Sequence, residues 1–159
     1  MNMDGSSLDD VDRSILHYLQ DNARNTVTDI ANEVGVSGNT VRNRIEELEE
    51  SGIIKGYSVD IDYKEAGLDL HFAFTCTASI SKREELATGI LDIPGVIEVR
   101  EFMTGQENIY LEALGTDAGD ITRIAHDIDA LGAEIHIEKL IRNDYSHSFG
   151  PFSQPDDKP

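Results

Sequence analysis

The chain has 159 residues, room for one ordinary domain or two small ones. It holds 31 Asp and Glu against 13 Lys and Arg, a formal net charge of -18, which taken alone argues against a nucleic-acid partner. The lone Cys76 excludes an intramolecular disulfide and a Cys-based zinc site. The N-terminal stretch MNMDGSSLDD has no apolar signal core and no apolar run approaches the roughly 18 residues of a membrane span, so a soluble, cytoplasmic protein without a membrane partner is expected.

The acidity is dispersed rather than confined to a tail. Residues 1–63 carry 13 acids and 5 bases, and residues 64–159 carry 18 acids and 8 bases. Such an excess suits a protein kept soluble in concentrated salt, where the Debye length shrinks to about 3 Å and self-repulsion is screened. The composition therefore points to a salt-accumulating halophile.

Residues 1–7 read as disordered. A first helix is expected from about Asp9, with Leu8 as a staple, Asp9 as cap and Asp12 in the first turn; Val11, Ile15, Leu16 and Leu19 form its apolar stripe. Asn22 to Asn25 is a loop. A short helix from a Thr28 cap to Val34 turns Ile30, Ala31 and Val34 toward the first, and Gly35 ends it. Ser37 caps a third helix. Helix, tight glycine turn and helix together make a helix-turn-helix.

In that third helix Val41, Ile45 and Leu48 share one face, and Asn39, Arg42, Asn43 and Glu46 the opposite one. Asn bonds bidentately to adenine, Arg to guanine, and Ser or Thr to phosphate, so the first two turns have the chemistry of a DNA-reading surface. Ser37, Gly38, Asn39, Thr40, Arg42 and Asn43 are the candidate contacts, with Arg44 and Lys55 at the backbone. Glu46, Glu47, Glu49 and Glu50 would repel phosphate and confine the contact to the N-terminal part. Ser51-Gly52 stops the helix, and the alternation from Ile53 to Asp62 predicts a wing strand.

A domain boundary is placed at residues 63 and 64. From Leu68 to Ile80 the alternation puts Leu68, Leu70, Phe72, Phe74, Cys76, Ala78 and Ile80 on one buried strand face. Ser81 is read as the cap of a helix to Asp92, followed by a strand from Val96 to Thr104, a hairpin at Gly105 to Glu107, and a strand from Asn108 to Gly115. A helix from Ala118 to Leu131, stopped by Gly132, and a strand from Ala133 to Arg142 complete a ferredoxin-like βαββαβ order. Residues 64–145 thus form the second domain and 146–159 a disordered tail. The fold class is α+β. No cofactor is expected, and the histidines, which lack tight metal-ligand spacing, suggest no metal site.

The segments LDDVDRSIL, VGVSGNTVRNRIEELEESGIIKGY and PGVIEVREFMTGQENIYLEAL, in this order, resemble the Lrp/AsnC (feast/famine) family of transcriptional regulators over about Leu8 to Arg142. The resemblance implies a winged helix-turn-helix on double-stranded DNA with a near-palindromic operator and a ferredoxin-like effector and assembly domain. It further implies homodimers that build octamers and an amino-acid or related effector near the hairpin at Thr104, Gly105, Gln106, Glu107 and Asn108. With the composition, it suggests a halophilic archaeon. The family commonly has Gly-x-x-Asp at the hairpin, where this chain has Asn108. An aspartate can neutralise an α-ammonium group whereas an asparagine offers only hydrogen bonds, and Glu107 is the residue able to substitute.

Two other functions share the architecture. A siroheme-decarboxylase-like enzyme would need a basic cluster and paired histidines, which residues 64–159 do not offer. An assembly or effector-binding module without DNA binding would not need the intact turn glycine and polar helix face. A regulator rather than an enzyme is expected.

Overall fold

The computed structural model describes residues 8–145 and 147. The expected disordered segments, 1–7 and nearly all of 146–159, lie outside them. The described chain falls into two compact units, residues 8–60 together with 145 and 147, and residues 61–144.

The first unit is three helices: α1 (Asp10–Asp21), α2 (Val27–Val34) and α3 (Gly38–Glu50). Asp9 caps α1 in a reciprocal box, its carboxylate accepting from the Asp12 N–H while the Asp12 carboxylate accepts from the Asp9 N–H. Helix α2 uses the same device with Thr26 and Asp29. The cap is therefore Thr26 rather than the expected Thr28, because the side chain able to answer Thr26 lies three residues on. Ile15, Leu16, Ile30, Ala31, Val41 and Leu48 form the core of this unit. Burying such side chains stabilises by about 1.5–3 kcal/mol each relative to exposure.

No strand forms between Ile53 and Asp62 among the described residues, contrary to the alternation. After Gly52, at φ 73°, the Ile54 N–H bonds back to the Leu48 carbonyl and Tyr57 Oη donates to Glu49 Oε1 at 2.8 Å. The segment follows the end of α3, and a strand needs a hydrogen-bonding neighbour that this part of the chain does not supply.

The second unit is an antiparallel sheet with two helices on one face. Its elements are β1 (Leu70–Thr77), a 3-10 turn (Ile80–Lys82), α4 (Arg83–Leu91), β2 (Val96–Glu101), β3 (Ile109–Gly115), α5 (Ala118–Leu131) and β4 (Glu134–Leu140). The strand order is β2-β3-β1-β4, the ferredoxin-like arrangement. Phe74 and Cys76 of β1 and Ile109, Leu111 and Ala113 of β3 meet Leu86 and Ile90 of α4 and Ile121, Ile124 and Ile128 of α5 in one core. Asp117 caps α5, and Gly132 ends it at φ 92°.

Three expectations give way here. Ser81 does not cap a helix, since the chain first makes the 3-10 turn and α4 begins at Arg83. Ile80 is 84% exposed rather than on the buried face, because the strand ends at Thr77 and its alternation no longer applies. Strand β2 ends at Glu101 instead of Thr104, so the connection to β3 is a longer loop, residues 102–108.

Candidate nucleic-acid interface and effector hairpin

The α2–α3 turn is built by Gly35, at φ 76°, a conformation that a Cβ would strain. Its N–H and that of Val36 both donate to the Ala31 carbonyl, which closes α2 and starts the turn. Ser37 then caps α3: its Oγ accepts from the Thr40 N–H at 3.1 Å and lies 2.8 Å from Thr40 Oγ1. These two hydroxyls are thus engaged with each other and with the helix end, while Gly38 sits against Val27.

Val41 and Leu48 are buried, and Asn39, Arg42 and Asn43 are exposed with the glutamates Glu46, Glu47, Glu49 and Glu50. The first half of α3 therefore presents amides and one guanidinium, and the second half carboxylates.

Arg44, expected at the DNA backbone, makes ion pairs inside the unit. Its Nη2 lies 2.9 Å from Asp9 Oδ2 and its Nη1 3.4 Å from Asp12 Oδ1, so the guanidinium is held within the unit by α1. The Asp12 peptide N–H, and after it the charge of Arg44, keep the Asp9 carboxyl below its usual range. Lys55 is exposed at a cleft of about 580 Å³ between the end of α1 and the segment after α3; Arg24, absent from the sequence-based set, lines the same cleft. Among the described residues, Arg24, Arg42 and Lys55 make no ion pair in this unit.

In the second unit the loop 102–108 is fastened at both ends. Arg83 Nη1 donates to the Phe102 carbonyl at 2.8 Å, and its Nε pairs with Glu101. Thr77 Oγ1 donates to the Gln106 carbonyl at 2.7 Å, and Thr75 Oγ1 to Glu107 Oε2 at 3.2 Å. Thr104, Gly105, Gln106 and Glu107 are exposed, with Gly105 at φ 103°.

Asn108 is 5% exposed and turned into the protein. Its Nδ2 donates to the Ala78 carbonyl at 2.8 Å and its Oδ1 accepts from the Ala78 N–H at 2.9 Å. Its own N–H donates to the Cys76 carbonyl, and its carbonyl accepts from Phe102. Both polar atoms of the Asn108 side chain are thus engaged with the Ala78 peptide, and Glu107 is the carboxylate of the exposed part of the loop. Neither the cleft in the first unit nor a cavity of about 330 Å³ between α4 and α5 includes this loop.

The winged helix-turn-helix DNA-binding family matches residues 8–55, the three helices and the start of the following segment. The chain is 32% identical over 119 residues to the HTH-type transcriptional regulator AldR of Mycolicibacterium smegmatis, covering 73% of this chain and 69% of that protein. It is 28% identical over 112 residues to the regulatory protein AsnC of Escherichia coli, covering 70% and 74%. The chain belongs to the Lrp/AsnC family of transcriptional regulators. The fold agrees: a transcriptional regulator of Neisseria meningitidis, solved with L-Met, superposes with a TM-score of 0.74 over 89% of this chain and 94% of that one at 23% identity. As an Lrp/AsnC protein it is a DNA-binding regulator of transcription.

Among the described residues, no group of three His, Cys, Asp or Glu is placed to hold a metal, and no helix is long and apolar enough to cross a membrane. In the second unit His71 Nε2 lies 2.8 Å from Glu112 Oε2 and His136 Nε2 2.8 Å from Thr77 Oγ1.

Proposed function

We propose that this Lrp/AsnC protein reads a near-palindromic operator as a homodimer, with one α3 in each of two successive major grooves about one helical turn apart. Asn39, Arg42 and Asn43 supply the base contacts; Ser37, Gly38 and Thr40 approach the phosphates at the helix start, with Lys55 at the backbone. The observation that carries this reading is the exposed amide and guanidinium face directly after the glycine turn. Footprinting on a duplex selected from random-sequence pools tests it: Asn39→Ala with Arg42→Ala loses the footprint without changing oligomer size, and retained sequence-specific protection overturns it.

The second unit acts in this proposal as an effector and assembly domain, with dimers joined into octamers and an amino acid or related metabolite at Thr104 to Glu107. Support comes from the relative solved with L-Met and from the exposed, tethered loop. The protein works in the cytoplasm, without enzymatic activity or cofactor, in a cell that accumulates salt. The regulator reading is preferred to a tetrapyrrole decarboxylase because the basic residues of 64–159 are few and scattered.

A further inference from the structure

We infer that Arg44 is a positioning residue, joining α3 to the capping box of α1 and so setting the angle at which the reading face meets DNA. The inference rests on how four carboxylate oxygens are shared. Asp9 Oδ1 accepts from the Asp12 N–H at 2.8 Å while its Oδ2 faces Arg44 at 2.9 Å. Asp12 Oδ2 accepts from the Asp9 N–H at 3.1 Å while its Oδ1 faces Arg44 at 3.4 Å. Each carboxylate thus gives one oxygen to the start of α1 and the other to α3.

A planar guanidinium spans two acceptors in a fixed fork, which a flexible ammonium cannot do, so the pair of bonds constrains direction as well as distance. The Asp12 side chain is 12% exposed, which limits solvent screening of the contact. Arg44 is two residues from Arg42 and one from Asn43, so rotation of α3 about this anchor displaces the reading residues directly. The cap of one helix and the orientation of another are in this way a single element.

The test uses the full-length protein, a duplex selected from random-sequence pools and a scrambled duplex of equal length, with affinities measured across a KCl series. Arg44→Ala is expected to lower affinity for the selected duplex by about tenfold or more, the scale of one lost bidentate base contact. It is expected to lower the ratio of selected to scrambled binding and to leave the salt slope unchanged. Asp12→Asn is expected to weaken selected binding in the same way although it removes a negative charge. The two losses should not add, since both variants break one joint.

A phosphate contact by Arg44 predicts the opposite pattern: removal shifts the log–log slope by about 0.9 and weakens both duplexes equally. Under that alternative Asp12→Asn binds as tightly as wild type or tighter, and this result overturns the inference. Thermal unfolding of each variant accompanies the measurements, and Asp12→Asn keeps the question decidable if Arg44→Ala does not fold.

Discussion

The Asn108 side chain pairs with both sides of the Ala78 peptide, donating to its carbonyl at 2.8 Å and accepting from its N–H at 2.9 Å. A buried amide here does what a neighbouring strand would do: it continues the pairing of β1 past its last residue and fixes the loop before β3. An aspartate has an acceptor where Asn108 needs a donor.

Asn108→Asp is therefore expected to destabilise the second unit by about 1–3 kcal/mol, the cost of an unmet buried polar group, and more while the carboxylate is charged. Burial and the facing Ala78 carbonyl raise the folded-state pKa of the new Asp. The loss is then present at neutral pH and shrinks as pH falls through that raised value. Urea unfolding of both proteins between pH 4 and pH 7 measures it.

The proposed effector site gives Glu107 the task of pairing with an ammonium group. A thermal-shift screen of wild-type protein against the common amino acids should find at least one that stabilises it, and Glu107→Gln should lose that stabilisation. Equal stabilisation of the variant would discard Glu107, whereas no shift of the wild type by any amino acid would discard the amino-acid effector itself.

Salt dependence of DNA binding is expected to be shallow or reversed in KCl. Residues 1–63 hold 13 acids and 5 bases, and among the described residues Arg13 and Arg44 are already paired with aspartates. Few counterions are left to release, and Glu46, Glu47, Glu49 and Glu50 favour cation uptake on docking. A steep loss of affinity with added KCl in filter-binding or anisotropy titrations would contradict this.

Acid should weaken the helix caps. Asp29 is held below its usual range by the Thr26 hydroxyl and then by the Thr26 N–H, and Asp9 by the Asp12 N–H with help from Arg44. A depressed carboxyl contributes stability that is fully present above its unfolded value, about 3.9, and is lost as pH falls through the lower folded value. Circular dichroism melts of Asp29→Asn should show a lower midpoint than wild type at pH 6 and a smaller gap below pH 4.

Cys76 should be inert in the folded protein. Burial pushes its thiol up to about 11, and it is fully enclosed in the sheet–helix core. Maleimide labelling at pH 7 is expected to be negligible without denaturant and complete in it.

The fold was legible wherever an apolar period and its punctuation agree. Gly35 and Ser37 mark the turn and the start of α3, and Gly132 ends α5, because local sterics and capping decide these points. Ile53 to Asp62 misled because alternation reports which side chains share a side, not whether a backbone partner stands beside them. Thr28 and Thr26 are both residues able to cap, and only the position of Asp29, three residues after Thr26, separates them.

The sequence by itself determined the helix-turn-helix, the residue types on the outer face of α3 and the glycine that ends α5. All three follow from spacings of a few residues, where helix and turn geometry act. Tertiary structure alone decided that Arg44 belongs to α1 and that Asn108 belongs to Ala78. The first contact joins residues 32 apart and the second residues 30 apart. No local period links such pairs; they meet only because core packing in each unit brings the elements that carry them together.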